Sequence, residues 1–81
     1  MTEAIRIYGK PGCSYCVKAK SFLDIRHIPY RYIDITQPSL TQDHKDAVNE
    51  VLATGFKSLP MIFIDDKFIG GYTELEARGF E

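Results

Sequence analysis

The 81-residue sequence predicts an α/β fold in which a four-stranded mixed sheet is flanked by helices. Three observations lead to it: short apolar or alternating runs typical of strands, longer runs with helical spacing, and the order β-α-β-α-β-β-α. A helix crosses between the first two strands, so they must be parallel, whereas the last two form a hairpin. The length favours a single domain, spanning residues 1–81.

The first part of the chain predicts two strands and one helix. Ala4–Tyr8 alternates between apolar and polar residues, as a strand does. From Ser14 to about His27 the apolar residues recur at helical spacing, and Pro29 ends that helix. Tyr30–Ile35 alternates again and predicts the second strand.

A second helix is predicted to open at Pro38 and Ser39. Ser39-x-x-Gln42 has the form of a capping box. The apolar residues of the segment Leu40–Leu52 then share one face, and Gly55 is a natural C-terminal stop.

The last part of the chain predicts a hairpin and a short helix. Met61–Ile64 is a continuous apolar run, as expected for a strand buried on both faces. Asp65–Lys67 can form a tight turn into a strand at Phe68–Ile69. Thr73-x-x-Glu76 is a second capping box, which predicts Thr73 as the N-cap of the final helix.

Composition limits the classes of function. Ten basic and eleven acidic residues give a net charge of −1, without the basic field that nucleic-acid binding needs. No apolar run approaches the roughly 18–20 residues of a membrane span. Residues 1–4 show no basic region followed by a long apolar one, so no cleaved secretory signal is expected. We therefore expect a cytoplasmic monomer that works on small molecules or other proteins.

The segment Lys10-Pro11-Gly12-Cys13-Ser14-Tyr15-Cys16 lies where the first strand meets the first helix. Free N–H groups and the helix dipole stabilise an anion in the first turn, which favours a thiolate there. Cys13 is expected to occupy this exposed position, with Lys10 as a nearby positive charge. Cys16 lies one turn deeper, on the side that faces the core. We expect Cys13 to attack a disulfide as thiolate and Cys16 to resolve the mixed disulfide.

A Cys-x-x-Cys pair has two other interpretations, a zinc site and a structural disulfide. The chain has no third cysteine, and His27 and His44 stand at spacings that match no familiar zinc finger. A disulfide between cysteines this close would close a tiny loop and remove little entropy from the unfolded chain. In a reducing compartment such a pair is more often catalytic or metal-binding. We expect no metal site.

Two further segments can build a binding site. In Ser58-Leu59-Pro60, a cis bond before Pro60 would turn the backbone of Leu59 toward the cysteines, although a proline there is also ordinary strand punctuation. In Gly70-Gly71-Tyr72-Thr73-Glu74, the glycines allow a close approach to a ligand, and the following helix offers N–H groups to a carboxylate. A simple glycine turn is the alternative.

Together these motifs resemble those of the glutaredoxin family within the thioredoxin fold. The likeness covers nearly the whole chain, including the element order and all three motifs. It implies a disulfide reductase that uses glutathione as co-substrate, with Cys13 as nucleophile and Cys16 as resolving thiol. It also implies that the glutathione groove is lined by Lys10, Tyr15, Leu59, Pro60, Gly71, Tyr72 and Thr73.

The sequence departs from the family pattern in the expected groove. The usual Thr-Val-Pro is replaced by Ser58-Leu59-Pro60. Thr73 stands where many members carry Asp. Ala47 stands where relatives often have a Gln or Arg that holds the glycyl end of glutathione, with Lys57 as a candidate replacement.

Two alternatives follow from other resemblances. Gly55–Pro60 is similar to the matching stretch of glutaredoxin-like redoxins, which thioredoxin reductase recycles and which donate electrons to ribonucleotide reductase. That enzyme is a candidate protein substrate here. Ser14 replaces the proline common between the cysteines, and some glutaredoxins of the Cys-Ser-Tyr-Cys type assemble a [2Fe–2S] cluster across a dimer with bound glutathione.

Overall fold

The computed structural model describes residues 4–79, and their elements follow the predicted order. The strands are β1 (Ile5–Gly9), β2 (Arg31–Asp34), β3 (Met61–Ile64) and β4 (Lys67–Gly70). The helices are α1 (Ser14–Ile25), α2 (Gln42–Ala53) and α3 (Tyr72–Arg78). Residues 1–3, on which the expectation about a secretory signal depends, lie outside the described part, as do residues 80 and 81 of the expected domain.

The sheet has the strand order β2-β1-β3-β4. β1 is parallel to β2, with Ile7 opposite Tyr32, and antiparallel to β3, with Ile7 opposite Ile62. β3 and β4 form the antiparallel hairpin. The predicted strand directions are therefore confirmed, and all four residues of the central strand β3 are buried, as its continuous apolar run indicates.

Both faces of the sheet are covered. Ile7 and Ile62 pack with Leu23 of α1 and Leu75 of α3 on one face. On the other face, α2 covers a second cluster, which comprises Tyr8, Val48, Val51, Met61 and Phe63. Neighbouring residues of β1 point to opposite faces because side chains alternate along a strand. α1 and α3 thus lie together on one side of the sheet, with α2 on the other.

The predicted start of α2 is wrong. The N-cap is Thr41, whose hydroxyl accepts a hydrogen bond from the His44 N–H at 3.4 Å, and the Ser39 capping box does not form. Ser39 belongs to a turn closed by the Leu40 N–H and the Gln37 carbonyl, 3.2 Å apart. The chain becomes helical only after that turn, so the second hydroxyl residue takes the capping position.

The predicted N-cap of α3 is also wrong. Gly71 holds that position, and the Glu74 carboxylate accepts a hydrogen bond from its N–H at 2.7 Å. Thr73 lies inside the first turn. Glu76, assigned to the capping box by the sequence, instead accepts a hydrogen bond from the Tyr72 hydroxyl at 3.1 Å. The helix begins earlier because the extended backbone of Gly71 lets Glu74 reach back to it.

The two longer helices end where the backbone becomes left-handed. α1 stops at Ile25, two residues before the predicted end, and His27 has φ 56°. α2 stops at Ala53, and Gly55 follows with φ 95°, as its predicted role requires. Within residues 4–79, no helix combines the length and apolar character needed to cross a bilayer.

The packing of α1 predicts unequal effects for two aliphatic residues on that helix. Leu23 is fully buried, so Leu23→Ala is expected to lower the free energy of unfolding by about 2–5 kcal/mol. Ile25 is 74% exposed, and Ile25→Ala is the matched control, with a change within about 0.5 kcal/mol. Urea denaturation measures both. Equal losses in the two variants would contradict the described packing.

Candidate active site

Cys13 is the N-cap of α1. Its backbone is extended, with φ −87° and ψ 109°, and its Sγ accepts a hydrogen bond from the Cys16 N–H at 3.2 Å. No acidic residue lies in the first turn of the helix. A thiolate on Cys13 would therefore face a free backbone N–H and the positive end of the helix dipole, without a competing carboxylate in that turn.

The segment before β3 lies against Cys13. The Leu59–Pro60 peptide bond is cis, which is the first of the two interpretations of that proline. The Leu59 carbonyl oxygen lies 3.7 Å from Cys13 Sγ, within reach of the thiol proton. The backbone of Leu59 thus lies beside the cysteine, where an extended ligand attached to that sulfur would pass.

The two cysteines have different environments. Cys13 is partly exposed, whereas Cys16 is 1% exposed and belongs to the buried face of α1. Burial, together with a hydrogen bond to Cys13, raises the pKa of Cys16 to about 11. At neutral pH the Cys16 thiol is therefore protonated. Both thiols are free, and Cys13 is far more accessible to solvent-borne reagents than Cys16.

A groove of about 290 Å³ opens between the start of α1, the segment before β3 and the start of α3. It brings together six of the seven residues that the resemblance implies: Tyr15, Leu59, Pro60, Gly71, Tyr72 and Thr73. The seventh, Lys10, does not line this groove. It lines an adjoining depression with Cys13 and Lys57, and the two spaces share Tyr15, Ser58 and Leu59.

Aromatic rings form one wall of the groove. The rings of Tyr15 and Tyr72 lie 6.2 Å apart, and Tyr72 stands edge-on to Phe22 of the core at 6.4 Å. The ammonium group of Lys18 lies 4.9 Å from the Tyr15 ring centre. Tyr72 is thus supported from inside the protein, whereas Tyr15 is 53% exposed and free to contact a ligand.

Three more residues line the groove, Phe56, Ser58 and Glu74; Ser58 and Glu74 lie in the segments that the sequence singles out, whereas Phe56 was not predicted at the site. Phe56 packs edge-on against Phe68, with ring centres 5.0 Å apart, a contact that depends on the tertiary fold. Glu74 caps Gly71 through one carboxylate oxygen. A glutamate three residues after a glycine is a signal that could have found it, with glycine as the N-cap.

Lys57 and Ala47, which concern the departure from the family pattern at the glycyl end, lie in different places. Lys57 lies in the depression next to Cys13, on the same side as Lys10. Ala47 packs against the core cluster under α2 and lines neither the groove nor the depression.

His44, the histidine of α2, pairs its Nδ1 with the buried Tyr8 hydroxyl at 2.8 Å. Among residues 4–79, no three His, Cys, Asp or Glu side chains are grouped as a metal would need.

Comparisons with known proteins identify relatives along most of the chain. A family model described as Glutaredoxin matches residues 5–69. The glutaredoxin of Haemophilus influenzae is 38% identical over 76 residues, which cover 88% of this chain and 84% of that protein. Glutaredoxin 1 of Salmonella typhimurium is also 38% identical over 76 residues, with the same coverage of both chains.

Solved structures give the same result for the fold. Glutaredoxin 1 from Francisella tularensis, complexed with cacodylate, matches with a TM-score of 0.72 at 34% identity and covers 95% of this chain and 92% of its own. A buckwheat glutaredoxin–glutathione complex matches with a TM-score of 0.75 at 25% identity, covering 94% and 67%. The mixed sheet and its helices therefore form the thioredoxin-like fold that the sequence predicts.

The unequal cysteines predict selective alkylation. Iodoacetamide reacts with thiolates, and with a pKa of about 11 only roughly one Cys16 thiol in ten thousand is ionised at pH 7. We expect Cys13 to be modified and Cys16 to be spared in the reduced native protein, as read by peptide mass spectrometry.

Raising the pH toward 11 should increase modification of Cys16, because its thiol then ionises. Unfolding in urea is the control, since it exposes both thiols and should make them react alike. Equal modification of the two cysteines in the native protein at pH 7 would contradict the described environments.

Proposed function

The chain belongs to the glutaredoxin family of thiol–disulfide oxidoreductases, and we propose that it reduces protein disulfides and glutathione mixed disulfides with glutathione as reductant. The observation that carries this proposal is the pairing of a buried Cys16 with a partly exposed Cys13, which lines the depression that adjoins the groove.

In the proposed reaction, the Cys13 thiolate attacks one sulfur of a substrate disulfide. A bond forms between Cys13 and that sulfur, and the other substrate sulfur leaves as a thiolate that takes up a proton. With a protein substrate, Cys16 then loses its proton and attacks Cys13 Sγ. The second substrate thiolate leaves, and the enzyme is left with a Cys13–Cys16 disulfide. Two glutathione molecules reduce that bond and leave as oxidised glutathione.

Polar groups along the groove support the binding of glutathione. The backbone of Leu59 can pair with its cysteinyl part beside Cys13. The start of α3, with Tyr72 and Thr73, offers N–H groups to the γ-glutamyl carboxylate. The second carboxylate oxygen of Glu74 can accept a hydrogen bond from the ammonium group of the γ-glutamyl residue of glutathione. The buckwheat glutaredoxin, which matches this fold, is a glutathione complex.

The glycyl end of glutathione would lie over the depression beside Cys13. The basic residues Lys10 and Lys57 line that depression. They can hold the glycyl carboxylate, as a Gln or Arg on α2 often does in relatives, since Ala47 cannot. The placement of Lys57 supports its proposed role as a substitute for that residue.

We further propose that the protein works as a cytoplasmic monomer. The resolving step joins Cys13 to Cys16 of the same chain, and a reducing compartment keeps both thiols available. The likeness of Gly55–Pro60 to redoxins that serve ribonucleotide reductase supports that enzyme as one protein substrate. A coloured dimer after anaerobic reconstitution with iron, sulfide and glutathione would overturn the monomer and favour a cluster-binding protein.

Cysteine variants test the two thiol roles. With NADPH, glutathione and glutathione reductase, Cys16→Ser is expected to keep turnover on a small glutathione mixed disulfide, because Cys13 alone suffices. The same variant should lose reduction of protein disulfides, which need the second thiol. Cys13→Ser should lose both activities.

The opposite pattern, with activity kept by Cys13→Ser and abolished in Cys16→Ser, would reverse the assignment. The reductant is tested separately on the wild-type protein. Rapid reduction by thioredoxin reductase without a response to glutathione would replace the glutathione proposal with the redoxin alternative.

The proposed role of Glu74 predicts a change in substrate affinity. Glu74→Gln keeps an oxygen that can cap Gly71 but removes the charge, so the KM for a glutathione mixed disulfide should rise about fivefold at nearly constant kcat. Glu50→Gln, on the exposed side of α2, is the matched control and should leave KM unchanged. An equal KM in Glu74→Gln and wild type would exclude a contact between Glu74 and glutathione.

A further inference from the structure

The hydroxyl group of Tyr32 lies beside the Cys16 thiol. Tyr32 is on β2 and Gly9 is the last residue of the neighbouring strand β1. A β-carbon placed on Gly9 would overlap the Tyr32 hydroxyl and would lie 2.7 Å from Cys16 Sγ. Because Gly9 has no side chain, the oxygen of Tyr32 and the sulfur of Cys16 both project into the space over it.

The hydroxyl proton of Tyr32 has two acceptors within reach. It donates to the Lys10 carbonyl over a long distance of 3.4 Å, and Cys16 Sγ faces it across the space over Gly9. A phenolic O–H rotates about its C–O bond to suit its neighbours. It can therefore point to Lys10 while Cys16 is a thiol and turn to the sulfur when a thiolate forms.

The ring of Tyr32 is held in place from the outside. The Lys20 ammonium group lies 4.1 Å from its ring centre, within the range of a cation–π contact. The ring also packs against the core cluster under α1.

The pKa of Tyr32 is raised to about 12. Burial is the largest cause, and both cysteines and Asp34, on the same strand, raise the pKa further. The hydroxyl thus keeps its proton and acts as a donor at neutral pH.

Cys16 needs such a donor. To attack Cys13 it must become a thiolate, yet it is buried and its pKa is raised to about 11. Among residues 4–79, the groups that act on its pKa are Cys13, the backbone of Lys10 and Tyr32, and none of them is a carboxylate or a histidine. Burial and Cys13 raise the pKa of Cys16, whereas the backbone of Lys10 and, less strongly, the Tyr32 hydroxyl lower it.

We propose that Tyr32 is a positioning residue for the resolving step: its hydroxyl holds Cys16 Sγ and donates a hydrogen bond to the thiolate that attacks Cys13. The inference rests on the proposed function, because it assigns Cys16 as the resolving thiol. Tyr32 loses no proton. The proton of Cys16 goes to solvent, the Cys16–Cys13 bond forms, the bond from Cys13 to the substrate breaks, and the departing thiolate takes up a proton.

The variant Tyr32→Phe removes only the hydroxyl. The matched control is Tyr30→Phe, which removes a phenolic oxygen two residues away that interacts with Asp24 and not with the cysteines. The reduced protein is mixed with the aromatic disulfide dithiobis(nitrobenzoate). Attack by Cys13 releases one coloured thiolate, and attack by Cys16 on the resulting mixed disulfide releases the second. The two steps are thus timed separately.

Tyr32→Phe is expected to leave the first release unchanged and to slow the second about three- to tenfold at pH 7. Loss of a hydrogen bond to a charged group raises a pKa by about one to two units, and the greater nucleophilicity of the more basic thiolate recovers about half of that loss. The pH profile of the second release should move to higher pH, and Tyr30→Phe should behave as wild type.

Three results would overturn the proposal: a second release within twofold of wild type, an equal slowing of both releases, or the same slowing in Tyr30→Phe. The Cys16→Ser variant separates this inference from the function on which it rests, because it should show the first release alone. If it shows both, Cys16 is not the resolving thiol, and the proposed function and the role of Tyr32 fall together.

A second measurement does not depend on turnover. In the Cys13→Ser background, the Cβ chemical shift of Cys16 is followed across a pH titration with and without Tyr32→Phe. The pKa of Cys16 should be higher without the hydroxyl. If both variants fold and the pKa of Cys16 is the same in each, the proposed role of Tyr32 is overturned.

Discussion

The hydrogen bond from the Cys16 N–H to Cys13 Sγ sets the geometry of the reactive end of this molecule. It makes Cys13 the cap of α1, so the helix begins at Ser14 and its positive end faces the sulfur. The same helical phase turns Cys16 inward, one turn later, together with Ala19 and Leu23. The exposure of one thiol and the burial of the other are therefore two results of a single helix start.

The sheet order brings the rest of the site to that helix end. β1 and β3 are neighbours, so the loop after β1 and the segment before β3 meet, although Cys13 and Leu59 are 46 residues apart. β4 lies on the other side of β3, and the chain leaves it at Gly71 to enter α3. Three segments that are distant in the sequence thus line one groove, as the ends of adjacent antiparallel strands require.

The sequence patterns predicted the fold well because they report burial directly. Met61–Ile64 reads as a strand covered on both faces because every residue in it is apolar, and the helix between β1 and β2 requires parallel strands. The cysteine pair and the segments at Leu59 and Gly71 were also visible, since their residue types are unusual in those positions.

The features that the sequence does not predict depend on competition between nearby residues or on contacts that the tertiary fold and the strand register create. Ser39 and Thr41 are both good caps, and only the turn before the helix decides between them. Phe56 enters the groove through its packing on Phe68, which no spacing along the chain reveals. Tyr32 reads simply as an alternating strand residue. Its position beside Cys16 follows from the pairing of β1 with β2 and from the missing side chain at Gly9.

The proposed function requires that a glutathione joined to Cys13 lies in the groove formed by these three segments. The most direct test is to load Cys16→Ser with glutathione as a stable mixed disulfide and to map its backbone amide chemical shifts by NMR against the reduced variant. A glutathione held in the groove should shift the amides of Leu59, Gly71 and Thr73 as well as those around Cys13. Shifts confined to Gly12–Tyr15, with the other two segments unchanged, would contradict it.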